Sequence, residues 1–407
     1  MAIIEDGCQN VSAKLMISAI QIKNFKGIRS MDRVELGPFH VLVGPNGSGK
    51  STFLDAFEFV RSCLQNGPRK AVEDRVPEYR DLTFMRQGGP IEIDFWLDLN
   101  DSTSNHKDSV LHYRVTFVND EELGVKVKEE LLERLPLNSK KKGKRLAGIS
   151  AKGSAFYLRE DGTYTDSFSF GLDKLALSLT PPDQVRYPTA NSAKTFLMQG
   201  IRFIQLDSRA MREPCPATRP TELEPDGTNL ARAVGLLVRR SNPNLFSEED
   251  GLERWTNHLR YALEDLQSIG WATREPDNAE YVTLKYAQGL ECPSWLLSDG
   301  TLRMLALTLP AFLPATARIY MVEEPENGVH PKALEITLKA LAAIPNAQVF
   351  IATHSPLVVQ QEGKEPLLCF TRGYEGVQVT PGPEHPALQD WNGVPDLASI
   401  FSSRVLG

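Results

Sequence analysis

No run in this chain approaches the about 18 consecutive apolar residues that would suggest a membrane-spanning helix, so none is expected. The opening residues, Met-Ala-Ile-Ile-Glu-Asp-Gly-Cys, have neither a basic start nor an apolar centre, and no secretion signal is read there. Cysteine is scarce: Cys8, Cys63, Cys215, Cys292 and Cys369 are scattered and odd in number. They offer neither metal spacing nor a disulfide framework, as expected of a reducing cytoplasm. Positive charge is not in excess either, and a net charge of −7 argues against wholesale wrapping of nucleic acid. Sustained heptads, internal repeats and low-complexity segments are absent, which excludes long tethering coiled coils and solenoids. What remains is an ordinary globular composition, 41% apolar and 24% charged, in a chain of 407 residues. That length is too great for one small core, and two lobes are expected.

The positive signals are short motifs near the two ends. Phe39 to Val43 is a brief apolar run, interrupted by His40, that ends at Gly44-Pro45-Asn46-Gly47-Ser48-Gly49-Lys50-Ser51, which fits G-x-x-x-x-G-K-[ST]. The run predicts a buried strand delivering the chain into a glycine-rich turn. Backbone N–H groups of Asn46 to Thr52 (Asn46, Gly47, Ser48, Gly49, Lys50, Ser51, Thr52) can then cradle phosphate where side chains would intrude. Lys50 would reach the β- and γ-phosphates, and the Ser51 hydroxyl would complete a Mg²⁺ shell. From Ser51 onward apolar residues recur at helical spacing, which sets the phosphates at a helix N-terminus.

The second group begins with Ala317 to Val322, a predicted buried strand ending in Glu323-Glu324. Two adjacent carboxylates at a strand end are costly unless something cationic stands beside them. Mg²⁺ and an attacking water supply that reason, with Glu323 on the metal side and Glu324 polarising the water. A third strand, Gln348 to Thr353, delivers His354. A lone His is often a structural residue; its place after a strand, thirty residues beyond Glu324, favours a γ-phosphate sensor. The combination reads as an ATP site.

These pieces, together with Gln21 to Ile28, Leu296 to Arg303, Glu323 to Pro331 and Thr353 to Pro356, resemble the ABC-type ATPases of the RecF, SMC and OLD group. The likeness is greatest to stand-alone bacterial "AAA family" ATPases, which have no long coiled coil, and it covers about the first 60 residues and those from 291 to 360. It implies an α/β, P-loop NTPase fold, an ABC-type ATPase head with a mixed central sheet, an antiparallel β subdomain and a compact helical arm. It also implies that Ser298, Asp299 and Gly300 form a signature motif capping the γ-phosphate held by a second copy. Asn327 to His330 would then run along the seam between the copies. A glutamine after a central strand contacts the metal in this group; Gln205 fits that slot, and Gln87, which precedes a strand, fits it less well. Two departures stand out: Glu323 where many relatives have Asp, and Asp299 and Thr301 where transporters have Gly and Gln.

Between the motifs, Ile91 to Leu99 and His112 to Val118 alternate as an antiparallel pair, which Ala155 to Leu158 and Phe168 to Leu172 would extend. Leu15 to Val43 reads as two strands forming a hairpin around Gly27 to Asp32. Leu230 to Arg240 and Ser247 to Ile269 read as helices, the second with Leu252, Trp255, Leu259, Leu263 and Leu266 on one face. The expected divisions are 1–213 and 291–365 for the two halves of the head, 214–290 for the helical arm and 366–407 for a tail. The tail is about half the length that a TOPRIM nuclease needs, so any cutting would fall to a partner. Lys140 to Arg145 is a basic run, read first as a solvated loop and second as a DNA-phosphate contact.

The resemblance therefore implies a cytoplasmic ATPase, using ATP and Mg²⁺, that pairs head to tail with itself and has no membrane. Such proteins regulate a separate effector, a TOPRIM or HNH nuclease or a toxin, in anti-phage defence. The alternatives are a RecF-like repair ATPase that binds duplex DNA and a scaffold that uses ATP to assemble.

Overall fold

The computed structural model describes residues 14–100, 109–122, 124–136, 143–149, 153–165, 168–169, 171, 173–240, 251–275, 277–314, 319–373, 376–389 and 396–403. The chain divides into two units, one of Met1–Asn24, Asp32–Leu36 and Phe59–Met198, the other of Phe25–Met31, Gly37–Glu58 and Gln199–Gly407.

The first unit is dominated by a sheet with the order Ile28–Glu35, Lys14–Phe25, Ile91–Asn100, Ser109–Asp120, Gly124–Pro136, Lys144–Ile149, Ser154–Tyr157 and Phe168–Ser169. From Lys14–Phe25 onward, neighbouring strands run antiparallel. Ile91, Ile93, Phe95 and Leu97 are fully buried, as their alternation predicts. The intervening residues are also enclosed, and there the sheet carries charge. His112 stacks on Trp96, and its ring nitrogens lie 2.7 Å from an Asp94 oxygen and 3.3 Å from a Glu133 oxygen. Arg114 donates to the same Asp94 at 2.8 Å. Gly124–Pro136 is a long strand that the sequence does not announce, because its charged residues hide the period of 2. Within it, Glu130 is buried and accepts hydrogen bonds from the Tyr113 hydroxyl and the Leu177 N–H, both at 2.9 Å, and from the Ala176 N–H. The turn after Lys14–Phe25 falls at Lys26-Gly27, earlier than the sequence reading placed it.

The second unit holds the sheet that positions the site. Its strands, in chain order, are β1 (Phe39–Val43), β2 (Ile201–Ile204), β3 (Ile319–Glu323), β4 (Gln348–Ala352), β5 (Leu367–Gly373) and β6 (Gly376–Pro381). Their spatial order is β2-β3-β4-β1-β5-β6, parallel except for the last pair, which is a hairpin. Strands this apolar are buried on both faces. One face packs Phe350 of β4 and Phe370 of β5 under Phe53 and Phe57 of helix α1 (Lys50–Asn66), with ring centroids 5.5 Å apart for Phe53–Phe370 and Phe57–Phe350. The other face sets Val41, Val43, Tyr320, Val322, Val349 and Ile351 against Leu334, Leu338, Val358 and Val359. Side chains on these strands therefore alternate between α1 and the opposite helices, a regularity that the site uses.

The segment expected to be a helical arm is only partly helical. Helices Leu230–Arg240 and Gly251–Arg260 are present, but the second ends at Arg260, and Leu266–Arg274 is a strand in a small sheet with Ala279–Tyr286 and Glu291–Pro293. Leu252, Trp255, Leu259, Leu263 and Leu266 do share one core. The stripe at helical spacing persists because a turn, and not a further helical turn, carries Leu263 and Leu266 into the same cluster. Of the basic run, 140–142 lie outside the described residues; Lys144 and Arg145 open an exposed strand end.

Candidate functional site

In an open parallel sheet, ligands sit beyond the carboxyl ends of the strands. Here β1, β3 and β4 end at Gly44, at Glu323-Glu324 and at Thr353-His354, while β2 ends just before Gln205. Register fixes their alignment: Glu323 is level with Ala352, Ala352 with Leu42, and Ile204 with Val322. The sequence-separated motifs thus share one edge of one sheet. Gly44, Pro45, Asn46, Glu324 and His354, together with Pro356, Phe401 and Ser402, line an open cavity of about 620 Å³.

The loop from Gly44 to Gly49 closes tightly before α1 starts at Lys50. Gly49 has φ +107°, and a Cβ there would stand 2.6 Å from Val377 of β6, so only glycine fits. Lys50 is buried, and its Nζ donates to the carbonyls of Gly44 at 2.7 Å and Pro45 at 3.2 Å. Burial lowers its pKa to about 8, against the pull of Glu323 and Glu324, which favour the charged form. Ser48 is buried and its hydroxyl has no hydrogen-bond partner among the described residues, whereas Ser51, at the start of α1, is exposed.

The carboxylates are set differently from one another. Glu323 is the last residue of β3 and, two residues after Met321, points to the α1 face; its buried Oε1 has no partner among the described residues. Glu324 sits at φ +49°, an uncommon backbone state for a residue with a side chain. Its N–H donates to the Ala352 carbonyl at 2.8 Å, and its carboxylate accepts from the Asn327 amide. Glu326 ties the loop after β4: one of its oxygens accepts from the Thr353 hydroxyl at 2.7 Å and from the His354 N–H at 3.1 Å. His354 is thereby held beside Lys50 and Glu324. Burial and the Lys50 charge lower its pKa, while Glu324 and Glu326 oppose them.

Gln205, exposed at the end of β2, stands on the strand beside Glu323, while Gln87 belongs to the first unit, in the turn before Ile91–Asn100. Among the described residues no cluster of three His, Cys, Asp or Glu side chains could hold a metal. A lone hydroxyl and one carboxylate beside a phosphate loop are instead the donor set that Mg²⁺ takes when substrate phosphates and water complete its shell. The orphaned Glu323 oxygen and the exposed Ser51 hydroxyl fit that group.

Ser298 caps helix α2 (Asp299–Thr308): its Oγ accepts the Thr301 N–H at 3.2 Å. Asp299 pairs with Arg212 at 2.5 Å, and Arg212 also donates to the Leu297 carbonyl at 3.0 Å. A Cβ on Gly300 would strike the Gly328 carbonyl, so this turn is packed against the loop that follows the glutamates. Ser298, Asp299 and Gly300 do not line the cavity at Gly44.

Sequence reading gave no role to Glu326, Arg212, Phe401 or Ser402, and placed Asn327 only on the seam between copies. Glu326 stands inside the motif Glu-Glu-Pro-Glu, but its use depends on β4 lying beside β3. Phe401 and Ser402 reach the cavity through a short helix (Leu397–Ser402) that carries no motif.

Fold and phosphate loop define an ATPase head of the P-loop class. A family profile described as "AAA ATPase domain" matches residues 16–159, and one described as "AAA domain, putative AbiEii toxin, Type IV TA system" matches residues 198–360. A stretch of 45 residues is 44% identical to the OLD nuclease of Thermus scotoductus, covering 11% of this chain and 8% of that protein. Among solved structures, the SMC head bound to the C-winged helix domain of ScpA aligns with a TM-score of 0.51 at 14% identity, over 89% of this chain and 96% of that one. The SMC head domain from Thermotoga maritima aligns with a TM-score of 0.42 at 13% identity, over 90% of this chain and 98% of its own. The two profiles, on different stretches of the chain, both describe an AAA-type ATPase domain, and the likeness to the SMC head bound to ScpA is one of fold. No helix among the described residues is long and apolar enough to cross a membrane.

Proposed function

We propose that this chain hydrolyses ATP and uses the cycle as a switch, closing as a head-to-tail pair when ATP binds and opening after hydrolysis. The observation that carries the reading is the convergence of Lys50, Glu323, Glu324 and His354 on one edge of a parallel sheet, beside a glycine loop that opens a long helix. The N–H groups at the start of α1 and the Lys50 ammonium would hold the β- and γ-phosphates. Ser51, Glu323 and Gln205 would hold Mg²⁺, which supplies charge neutralisation at the phosphates. Glu324, fixed by Asn327 and by the Ala352 carbonyl, would orient the attacking water and take its proton. His354, kept neutral by burial and by Lys50, can donate a hydrogen bond to the γ-phosphate. Ser298 to Gly300 lie outside this cavity, which suits a role in covering the γ-phosphate of a second copy. There, the N-terminus of α2 would offer N–H donors to the anion.

We carry a setting in anti-phage defence from the sequence resemblance; the description naming a putative AbiEii toxin and the short match to an OLD nuclease support only a link to a toxin or nuclease. In that setting the switch would govern a separate effector, a TOPRIM or HNH nuclease or a toxin. The test is ATP turnover by the purified chain. Lys50→Ala is expected to abolish nucleotide binding, and Glu324→Gln to keep binding while slowing hydrolysis by roughly 10²- to 10⁴-fold. Undiminished turnover in both variants removes the proposal. Trapping of a dimer by Glu324→Gln with ATP, and its loss on Ser298→Arg, tests the pairing by sedimentation.

A further inference from the structure

The hydrolytic residues all lie to one side of the phosphate loop. Counting outward from β1, the neighbour on that side is β4, with His354, then β3, with Glu323 and Glu324, then β2, followed by Gln205. On the other side stands β5, parallel to β1, with Cys369 level with Val43, the last residue before the loop. Three further residues carry β5 past the end of β1, so Arg372 is set alongside the loop itself. Its direction follows from the alternation of the strand. Leu367 and Cys369 belong to the core on the face away from α1, while Phe370 packs on Phe53 of α1. Arg372, two residues beyond Phe370, shares the α1 face. Its cross-strand partner Val377 lies on that face too, against Gly49. A Cβ placed on Gly47 would stand 3.9 Å from an Nη of Arg372. Arg372 is exposed, and among the described residues no ion pair to a carboxylate is found for it.

We infer that Arg372 is a nucleotide-binding residue that grips the polyphosphate on the side away from the γ-phosphate. This inference rests on the ATP reading above and deepens it. Strands in a sheet lie about 4.8 Å apart. Arg372 therefore rises about one strand to the nucleoside side of the loop, while Glu324 stands about two strands to the other. A guanidinium at that position, with no carboxylate partner among the described residues, supplies planar donors to phosphate oxygens that ATP and ADP share. It adds affinity for both nucleotides and nothing to the chemical step, because the bond that breaks lies at the opposite end.

The test is calorimetric titration of the full chain with ATP and with ADP, alongside turnover at saturating ATP. Arg372→Ala is expected to weaken both nucleotides alike, by roughly 10- to 100-fold, the worth of a charge-assisted hydrogen bond. The turnover number should stay within about twofold. Arg372→Lys, which keeps the charge, should recover part of the affinity, and thermal melting should be unchanged because the side chain is exposed. Unaltered affinity for both nucleotides overturns the inference. So does a loss confined to ATP, or a tenfold fall in turnover number, since either would put the guanidinium at the γ-phosphate. Loss of binding in Lys50→Ala with none in Arg372→Ala sinks this inference alone; a wild-type chain that binds neither nucleotide sinks the ATP reading with it.

Discussion

Carboxylates of the antiparallel sheet and those at the phosphate-loop edge of the parallel sheet are buried in opposite ways. In the antiparallel unit, Glu130 is fully enclosed and takes three hydrogen bonds, and Asp94 is bonded to both His112 and Arg114. In the parallel unit, Glu323 and Glu326 each keep a buried oxygen with no partner among the described residues, and the Ser48 hydroxyl is in the same position. Leaving such a group unsatisfied costs about 1–3 kcal/mol, more when it is charged. A carboxylate whose bonds are all made inside the chain reads as scaffold; one left open at a sheet edge beside a buried lysine is, on the function proposed above, directed at a ligand. The contrast offers a way to test that division without reference to any motif.

Substitutions on the two sides should therefore fail in different assays. Among the carboxylates contrasted here, the largest effect is expected from Glu323→Gln, which should cut ATP turnover by roughly 10²- to 10³-fold while leaving the melting temperature within about a degree or raising it. A large drop in melting temperature would place Glu323 with the scaffold instead. Glu130→Ala should do the reverse. Stripping one partner from a closed buried network costs about 3–5 kcal/mol, read by chemical denaturation, with turnover per folded molecule unchanged at low temperature.

Glu130 also gives the antiparallel unit a pH response. Burial pushes its pKa up from 4.5 to about 7, against the three donors that favour the ionised form. The folded chain then binds more protons than the unfolded one between these values. Stability should be greatest at or below about pH 4.5 as far as this group is concerned. It should fall by on the order of 3 kcal/mol as pH rises through about 7, then level off. Glu130→Gln should flatten that slope in denaturation curves taken across the window. A smaller effect is expected at Glu326, which acts through the His354 loop. Glu326→Ala should lower turnover about tenfold, with Glu326→Gln milder because its carbonyl can still accept from Thr353 and His354. Equal losses in the two variants would mean that charge, not positioning, is what Glu326 contributes. On the site's side, ATP affinity should weaken as pH rises through about 8, where burial lets Lys50 lose its proton. A flat affinity profile from pH 7 to 9 would show that the bound phosphates hold the proton in place.

Much of the site was legible in advance because its parts are contiguous. Gly44 to Ser51 declares a loop by glycine spacing, Glu323-Glu324 by two charges closing an apolar run, and His354 by its place after another such run. The antiparallel pair at Ile91 to Leu99 was legible by alternation. Other elements escaped for definite reasons. Gly124–Pro136 buries a charged residue where the pattern calls for an apolar one, and the stripe from Leu252 to Leu266 continues through a turn that composition does not mark.

The sequence by itself determined the identity of the chemical groups and the local structures that present them, because a glycine loop, an apolar strand and a terminal carboxylate depend only on neighbours a few residues away. Only the tertiary structure decided which groups meet. The order β2-β3-β4-β1-β5-β6 sets His354 and the glutamates to one side of the phosphate loop and Arg372 to the other, and brings Glu326 under the loop that follows β4. Strand order is settled by long-range pairing and by packing on both faces of the sheet, and no local spacing along the chain encodes it.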